Sequence, residues 1–215
     1  MRKKKSIPIL SKQRVAFVVD GNCESWYIQM LKRNERSISV NLEPKIPQKK
    51  KLSEQYKMVL DLSLDYDNVF WIIDFDVINS ETRSKKKGIK TPLQEFNEYF
   101  DQIENDYKHI KIIINNPCLE YWFLLHFEST SKYIENCERV ITQLKKHDCL
   151  SNYEKSKKYY TKEGSDIYFK LKPFLNTAIT NSNKLEPFDF ENPHSGLSQM
   201  QLMFESENLK KIIKQ

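Results

Sequence analysis

The stretch VFWIIDFDVI, residues 69–78, decides how this chain folds. Residues 69–73 are five bulky side chains with no polar face. Such a run fits a strand covered on both sides, as in a parallel sheet. Two carboxylates follow at once, Asp74 and Asp76, separated only by Phe75. A segment serving the core alone would not close its most apolar strand with a pair of negative charges. If the extended geometry continues for two residues, both carboxylates point to one side.

On the upstream side, RVAFVVD (residues 14–20) also reads as a buried strand, the first along the chain, ended by a turn at Asp20-Gly21-Asn22. Residues 24–33 follow as a helix, with Trp26 and Met30 on one face and Tyr27 and Leu31 beside them. SISVNLEPKI (37–46) is the second strand along the chain and stops near Pro47. Residues 52–64 repeat Leu52, Tyr56, Val59 and Leu60 at helical spacing. Downstream, residues 78–90 read as a polar, basic loop. Thr91 then supplies a helix N-cap, Pro92 suits the first helical position, and Gln94 can close a capping box. HIKIIINN (109–116) is the fourth strand, and CLEYWFLLHF (118–127) returns to helix after Pro117. This alternation predicts an α/β core over about 14–127, a parallel sheet flanked by helices. The rest, about 131–215, reads as a helical lobe packed on that core, with helices over 133–146, 166–180 and after Ser198. The whole of 1–215 is expected to be one domain.

The 215 residues are 39% hydrophobic and 30% charged, which suits a globular chain, and they include only 4 glycines. That scarcity argues against a glycine-rich phosphate cradle, and no G-x-x-x-x-G-K-[ST] run is present. No apolar run approaches the ~20 residues of a membrane helix. The start, MRKKKSIPILSK, is basic, but its apolar part is shorter than a signal peptide requires. These features predict a cytoplasmic protein with no membrane association. Cys23, Cys118, Cys137 and Cys149 show no C-x-x-C or zinc-finger spacing, so all four are expected as separate thiols. The net charge of +6 is concentrated in residues 2–5, 49–51 and 83–87. Such blocks fit attraction to phosphate backbones, and they equally fit solvated loops.

The acids have a common address. Ligands of parallel sheets bind at the carboxyl ends of the strands. Asp20 ends the first strand, with Glu24 just beyond the turn. Asp74 and Asp76 end the third. Asn115 and Asn116 end the fourth, with Glu120 on the first turn of the next helix. Carboxylates that converge repel one another unless a cation lies between them, and an all-oxygen set favours Mg²⁺ or Mn²⁺. Bound there, either ion could activate water against a phosphodiester. The same residue types also serve as turn formers and helix caps, and a helix N-terminus attracts Glu120 for dipole reasons alone.

Four segments resemble the RloB and AbiLii-like phage-resistance family. VVDGNCESWY is similar to its EG-x-TE-x-x-Y turn, and IIDFD to its D-x-D strand end. NNPCLEYWFLLHFE (115–128) is similar to its NP-x-x-E-x-W-x-x-x-H segment, and ENPHSGLSQMQLMFE to its closing N-P-x-T segment. They occur in family order. The resemblance implies a Toprim-like fold and a metal-dependent nuclease acting in phage defence, often encoded beside a separate ATPase. It implies Asp20, Glu24, Asp74 and Asp76 as Mg²⁺ or Mn²⁺ ligands, with Glu120 also catalytic. Asn116 and His126 match motif positions and have either a chemical or a core role. Lys85, Lys86, Lys87, Lys155 and Lys158 are candidates for contact with DNA or RNA. Asp20 stands where the family has glutamate, Cys23 where it has threonine, and Ser195-Gly196 where it has threonine. These departures leave a second reading, a non-catalytic nucleic-acid-binding subunit of a defence complex.

Overall fold

The apolar runs pair into a single sheet. The computed structural model describes residues 14–35, 41–46, 51–85, 88–207, 209 and 210. In it, β1 (Arg14–Val19), β2 (Asn41–Lys45), β3 (Asn68–Asp74) and β4 (Ile110–Asn116) run parallel. A two-residue strand, β5 (Leu197–Ser198), adds antiparallel to β4, giving the order β2-β1-β3-β4-β5. Beyond their first residues β1 and β3 are buried throughout, as continuous apolar strands at the centre of a sheet must be. The register sets Val19 beside Ile72 and Asp74 beside Asn115, so the ends of these strands share a rim.

Helices cover both faces. One face carries Val15, Phe17, Val19, Phe70 and Ile72, packed with side chains of α1 (Asn22–Asn34) and α5 (Leu119–Leu125). The same cluster extends into α6 (Cys137–Leu144), α7 (Lys157–Tyr160), α8 (Ile167–Leu171), α9 (Leu175–Ser182) and α10 (Gln201–Glu205). The other face carries Ala16, Val18, Val69, Trp71 and Ile73 against α2 (Leu52–Ser63), α3 (Phe75–Ser84) and α4 (Pro92–Asp106). The C-terminal helices are tied to α1 by polar links as well. Arg33 pairs with buried Asp166 at 2.6 Å, and the Tyr168 hydroxyl donates to Glu35 Oε1 at 2.9 Å. Among the described residues no helix is long and apolar enough to cross a membrane.

The start of α4 follows its sequence signature. Thr91 Oγ1 accepts from the Gln94 N–H, and Gln94 Oε1 accepts from the Thr91 N–H. Elsewhere the structure departs from expectation. The segment read as a loop over 78–90 begins as α3, because Phe75 and Ile78 lie one turn apart and both bury against the sheet. α3 follows β3 without a gap, Asp74 ending the strand and standing at the N-cap of the helix. The extended geometry therefore stops at Asp74, and Asp76 stands in the first turn of a helix. The helix expected over 166–180 divides into α8 and α9 at a 3-10 turn, Lys172–Phe174, where Pro173 has no N–H to give. β5 was not expected, since two residues carry no periodicity. Cys118 and Cys137 are not separate thiols: they form a disulfide between the N-cap of α5 and the first residue of α6, with Cα atoms 5.8 Å apart. Their separation of 19 residues gave no hint of this, because only the packing of α6 on α5 brings them together. Residues 2–5, Lys49, Lys50, Lys86, Lys87 and the first part of the strand expected over 37–46 lie outside the described residues.

Candidate functional site

Three strand ends supply the site. Beyond β1 the chain turns at Gly21, and α1 begins, carrying Glu24 in its first turn. A Cβ on Gly21 would sit 3.0 Å from Glu24 Oε2, so the small residue leaves the carboxylate room. Asp74 ends β3 and Asp76 begins α3. Asp20, Glu24, Asp74 and Asp76 line one cleft of about 250 Å³, together with Cys23, Val77, Cys118, Cys137 and Lys155. Glu120 is wholly buried on α5 and is not among the residues lining the cleft.

Asp20, Asp74, Asp76 and Glu120 are each positioned by a nameable group. Asp20 Oδ1 accepts from Gln55 Nε2 at 2.9 Å, and Gln55 Oε1 accepts from Trp71 Nε1 at 2.9 Å. An indole can only donate, so it fixes which end of the Gln55 amide faces Asp20. Asp74 Oδ1 accepts from the Leu119 N–H at 2.9 Å, at the open start of α5. The Asp76 N–H donates to Pro117 O at 3.1 Å, after the cis Asn116–Pro117 bond. Glu120 Oε1 accepts from the Tyr153 hydroxyl at 2.6 Å and pairs with Lys155 Nζ at 3.1 Å.

Burial and mutual repulsion disturb Glu24, Asp74 and Asp76. Burial, with Glu120 and Asp20 adding repulsion, pushes Glu24 up to about 7. Burial raises Asp76 to about 6, while the Lys155 ammonium pulls the other way. Asp74 is raised well above the ordinary carboxylate range by burial and then by Glu24, Glu120, Asp20 and Asp76. Among the described residues lining the cleft, Lys155 is the one cation beside four acids. The donors suit a hard divalent cation: they are oxygens, those of Glu24, Asp74 and Asp76 are desolvated, and the four acids outnumber the single lysine. The four acids are not drawn into a tight set. Among the described residues, the group whose donor atoms all lie within 4.8 Å of one another is Cys118, Glu120 and Cys137.

The other candidate residues fall elsewhere. Asn116 faces the C-terminal segment, its Nδ2 donating to Pro193 O at 3.1 Å and Ser195 O at 2.8 Å. His126 is buried, with Nδ1 at 2.9 Å from Trp122 O and its ring edge-on to Trp122. Burial lowers its pKa to about 4, and it does not line the cleft. Lys85 and Lys158 are exposed and away from the cleft lining, whereas Lys155 lies inside it against Glu120. Sequence reading missed Gln55, Tyr153 and the two paired cysteines. For Gln55 there was a signal: with Leu52 and Val59 it falls on one helix face, a polar residue at a core-facing position.

No curated protein and no solved structure matches the chain. A protein family does, described as RloB-like protein, and it matches residues 15–206. That span holds every residue of the cleft and the segment 193–198 that Asn116 and β4 bind, so by its extent over the fold this chain belongs to the RloB-like family.

Proposed function

We propose that the cleft is the site of a Mg²⁺- or Mn²⁺-dependent nuclease that hydrolyses phosphodiester bonds of DNA or RNA in defence against phage, in line with the family resemblance. The observation that carries this reading is the convergence of Asp20, Glu24, Asp74 and Asp76 on one cleft in which burial and repulsion disfavour the charged forms of Glu24, Asp74 and Asp76. These four would hold the ion. When bound, it would lower the pKa of an attacking water and stabilise the leaving oxygen. The protein's own part is orientation. Gln55 aims Asp20, the Leu119 amide aims Asp74, and the Pro117 carbonyl fixes the backbone of Asp76. Glu120, held by Tyr153 and Lys155, adds negative potential beneath them. Nucleotide hydrolysis, where the defence system needs it, would come from a separately encoded ATPase.

The test is cleavage of single- and double-stranded DNA and RNA with Mg²⁺, Mn²⁺ or EDTA, alongside Asp74→Asn. Cleavage that needs the metal and Asp74 supports the reading. No cleavage of any substrate, with no Mn²⁺ uptake by wild-type protein, overturns it. One observation favours a second reading, a nucleic-acid-binding subunit without catalysis: Lys155 already places an ammonium among the acids. That reading predicts nucleic-acid binding with no Mn²⁺ uptake.

A further inference from the structure

The cysteines are scattered through the sequence, yet three of the four line one cleft. Cys23, Cys118 and Cys137 all border it, while Cys149 does not. Cys118 and Cys137 are bonded to each other, and Glu120 Oε2 lies 2.8 Å from Cys137 Sγ. The two sulfurs and a Glu120 oxygen fall within 4.8 Å of one another. In the oxidised protein the two sulfurs are bonded to each other and can hold no ion; what the fold places side by side is two cysteines, with Cα atoms 5.8 Å apart, and a carboxylate, three side chains of the kinds that ligate zinc. Lys155 Nζ is 3.1 Å from both Cys137 Sγ and Glu120 Oε1, so the same spot already attracts a cation. The Lys155 side chain is 40% exposed and has solvent to swing into.

We propose that, once the Cys118–Cys137 bond is reduced, Cys118, Cys137 and Glu120 form a binding site for a thiophilic divalent ion such as Zn²⁺, distinct from the oxygen-lined part of the cleft. A dithiol reductant delivers two electrons and two protons to the two sulfurs and leaves as its own disulfide. Metal binding then releases both thiol protons to solvent, since the thiolate is the ligand. Lys155 gives up its place on Glu120 to the ion. Three protein donors leave a fourth position open, as in zinc sites that bind water or substrate. Sulfur donors select such an ion over Mg²⁺. The oxidised pair has no thiolate to offer, so the site exists only in the reduced protein. Cys23 is not one of the donors: among the described residues the set of donor atoms within 4.8 Å of one another is Cys118, Glu120 and Cys137, without it.

The inference stands apart from the nuclease reading, and its test uses no activity. Co²⁺ is added to the full-length protein after reduction by a dithiol and removal of the reductant. One equivalent should bind with a near-ultraviolet thiolate-to-cobalt charge-transfer band, which Zn²⁺ displaces and Mg²⁺ does not. Cys23→Ser should keep the band, and Cys137→Ser should lose it with an unchanged circular dichroism spectrum. Should Cys137→Ser fail to fold, wild-type protein decides the matter by alkylation and peptide mapping, where Zn²⁺ should protect Cys118 and Cys137 together. A reduced protein with no band, a band that survives in folded Cys137→Ser, or no joint protection overturns the proposal.

Discussion

Asp74 and Asn115 are register neighbours, each at or next to the end of a buried parallel strand, yet they belong to opposite kinds of place. Around Asn115 most polar groups are met by the chain itself, the buried Asn115 Nδ2 being the exception. Asn115 Oδ1 accepts from Ser198 Oγ at 2.6 Å, Asn116 holds Pro193 O and Ser195 O, and β5 completes the ladder. Ser182 Oγ donates to Gln201 Oε1 at 2.6 Å just behind this seam. Around Asp74 the groups that meet are of like charge, and burial makes each more costly. One strand end is closed by hydrogen bonds, and the other is left with charge that a cation could satisfy. In sequence both look the same, a polar residue after an apolar run. The partners that fold against them make the difference.

The sharpest way to break this contrast is Asp74→Asn. The amide keeps an acceptor for the Leu119 N–H and removes one charge. Metal-dependent cleavage should fall by more than ~100-fold, the upper end for residues that merely stand behind a ligand. The metal-free protein should melt at the same temperature or higher, because repulsion with Glu24, Glu120, Asp20 and Asp76 is relieved. Asp74→Ala also deprives the Leu119 amide of its partner, so it should be less stable than the asparagine variant by about 1 kcal/mol. Equal activity in wild type and Asp74→Asn would make the two strand ends alike.

The next effect is on pH. In EDTA, Glu24 with a folded pKa of about 7 against an ordinary 4.5 holds its proton in the native state after the unfolded chain has lost it. Asp76, at about 6 against 3.8, behaves likewise. The folded state therefore binds more protons between about pH 4 and 7, and stability must fall as pH rises through that window. A swing on the order of a few kcal/mol is expected from the Glu24 shift alone. Melting curves from pH 5 to 8 should show it in EDTA. Saturating Mn²⁺ should reverse the slope, since the ion binds the deprotonated forms. A flat EDTA profile would mean the acids are not under strain.

Asn116→Ala addresses the closed side. It leaves two carbonyls of the segment 193–195 without their donor, a loss of about 2 kcal/mol. Denaturant unfolding should record it, while the Mn²⁺-induced rise in melting temperature stays as in wild type. A lost Mn²⁺ response would place Asn116 in the cleft's chemistry and dissolve the contrast.

The sheet was legible because its strands are continuous apolar runs, and the acids were legible as candidates because they follow those runs directly. The capping box at Thr91 was legible because it is local. What the sequence hid depends on tertiary contact. α3 starts directly after the strand, at Phe75 beyond Asp74, so its first turn looked like more strand. β5 is too short to show a period. The Cys118–Cys137 pair requires α6 to lie on α5. Lys155 was read as a candidate contact to DNA or RNA because nothing near it in sequence points to Glu120, 35 positions away, its partner at 3.1 Å. Asn116 and His126 stood in one motif with Glu120, yet the amide went to the C-terminal seam and the imidazole to the core.

Gln55 offers the finest division between the two strand ends, since it is buried like the groups of the seam but serves the cleft. Its carbonyl oxygen satisfies Trp71 in the core, and its amide nitrogen donates to Asp20. Gln55→Met keeps the volume and removes both bonds. Loss of the acceptor for a buried indole N–H should cost about 1–3 kcal/mol. A role in the fold alone ends there, as for Asn116→Ala. A role in orienting Asp20 adds a second loss, a weakening of Mn²⁺ affinity by about 10-fold, the lower end for residues that position a ligand. Titrating Mn²⁺ by its electron paramagnetic resonance signal, at a temperature where both variants are folded, separates the two. If Gln55→Met and Asn116→Ala lose similar stability but only Gln55→Met loses affinity, the Trp71–Gln55–Asp20 chain links the core to the cleft. If both bind Mn²⁺ like wild type, Asp20 is held without Gln55, and that chain belongs to packing alone.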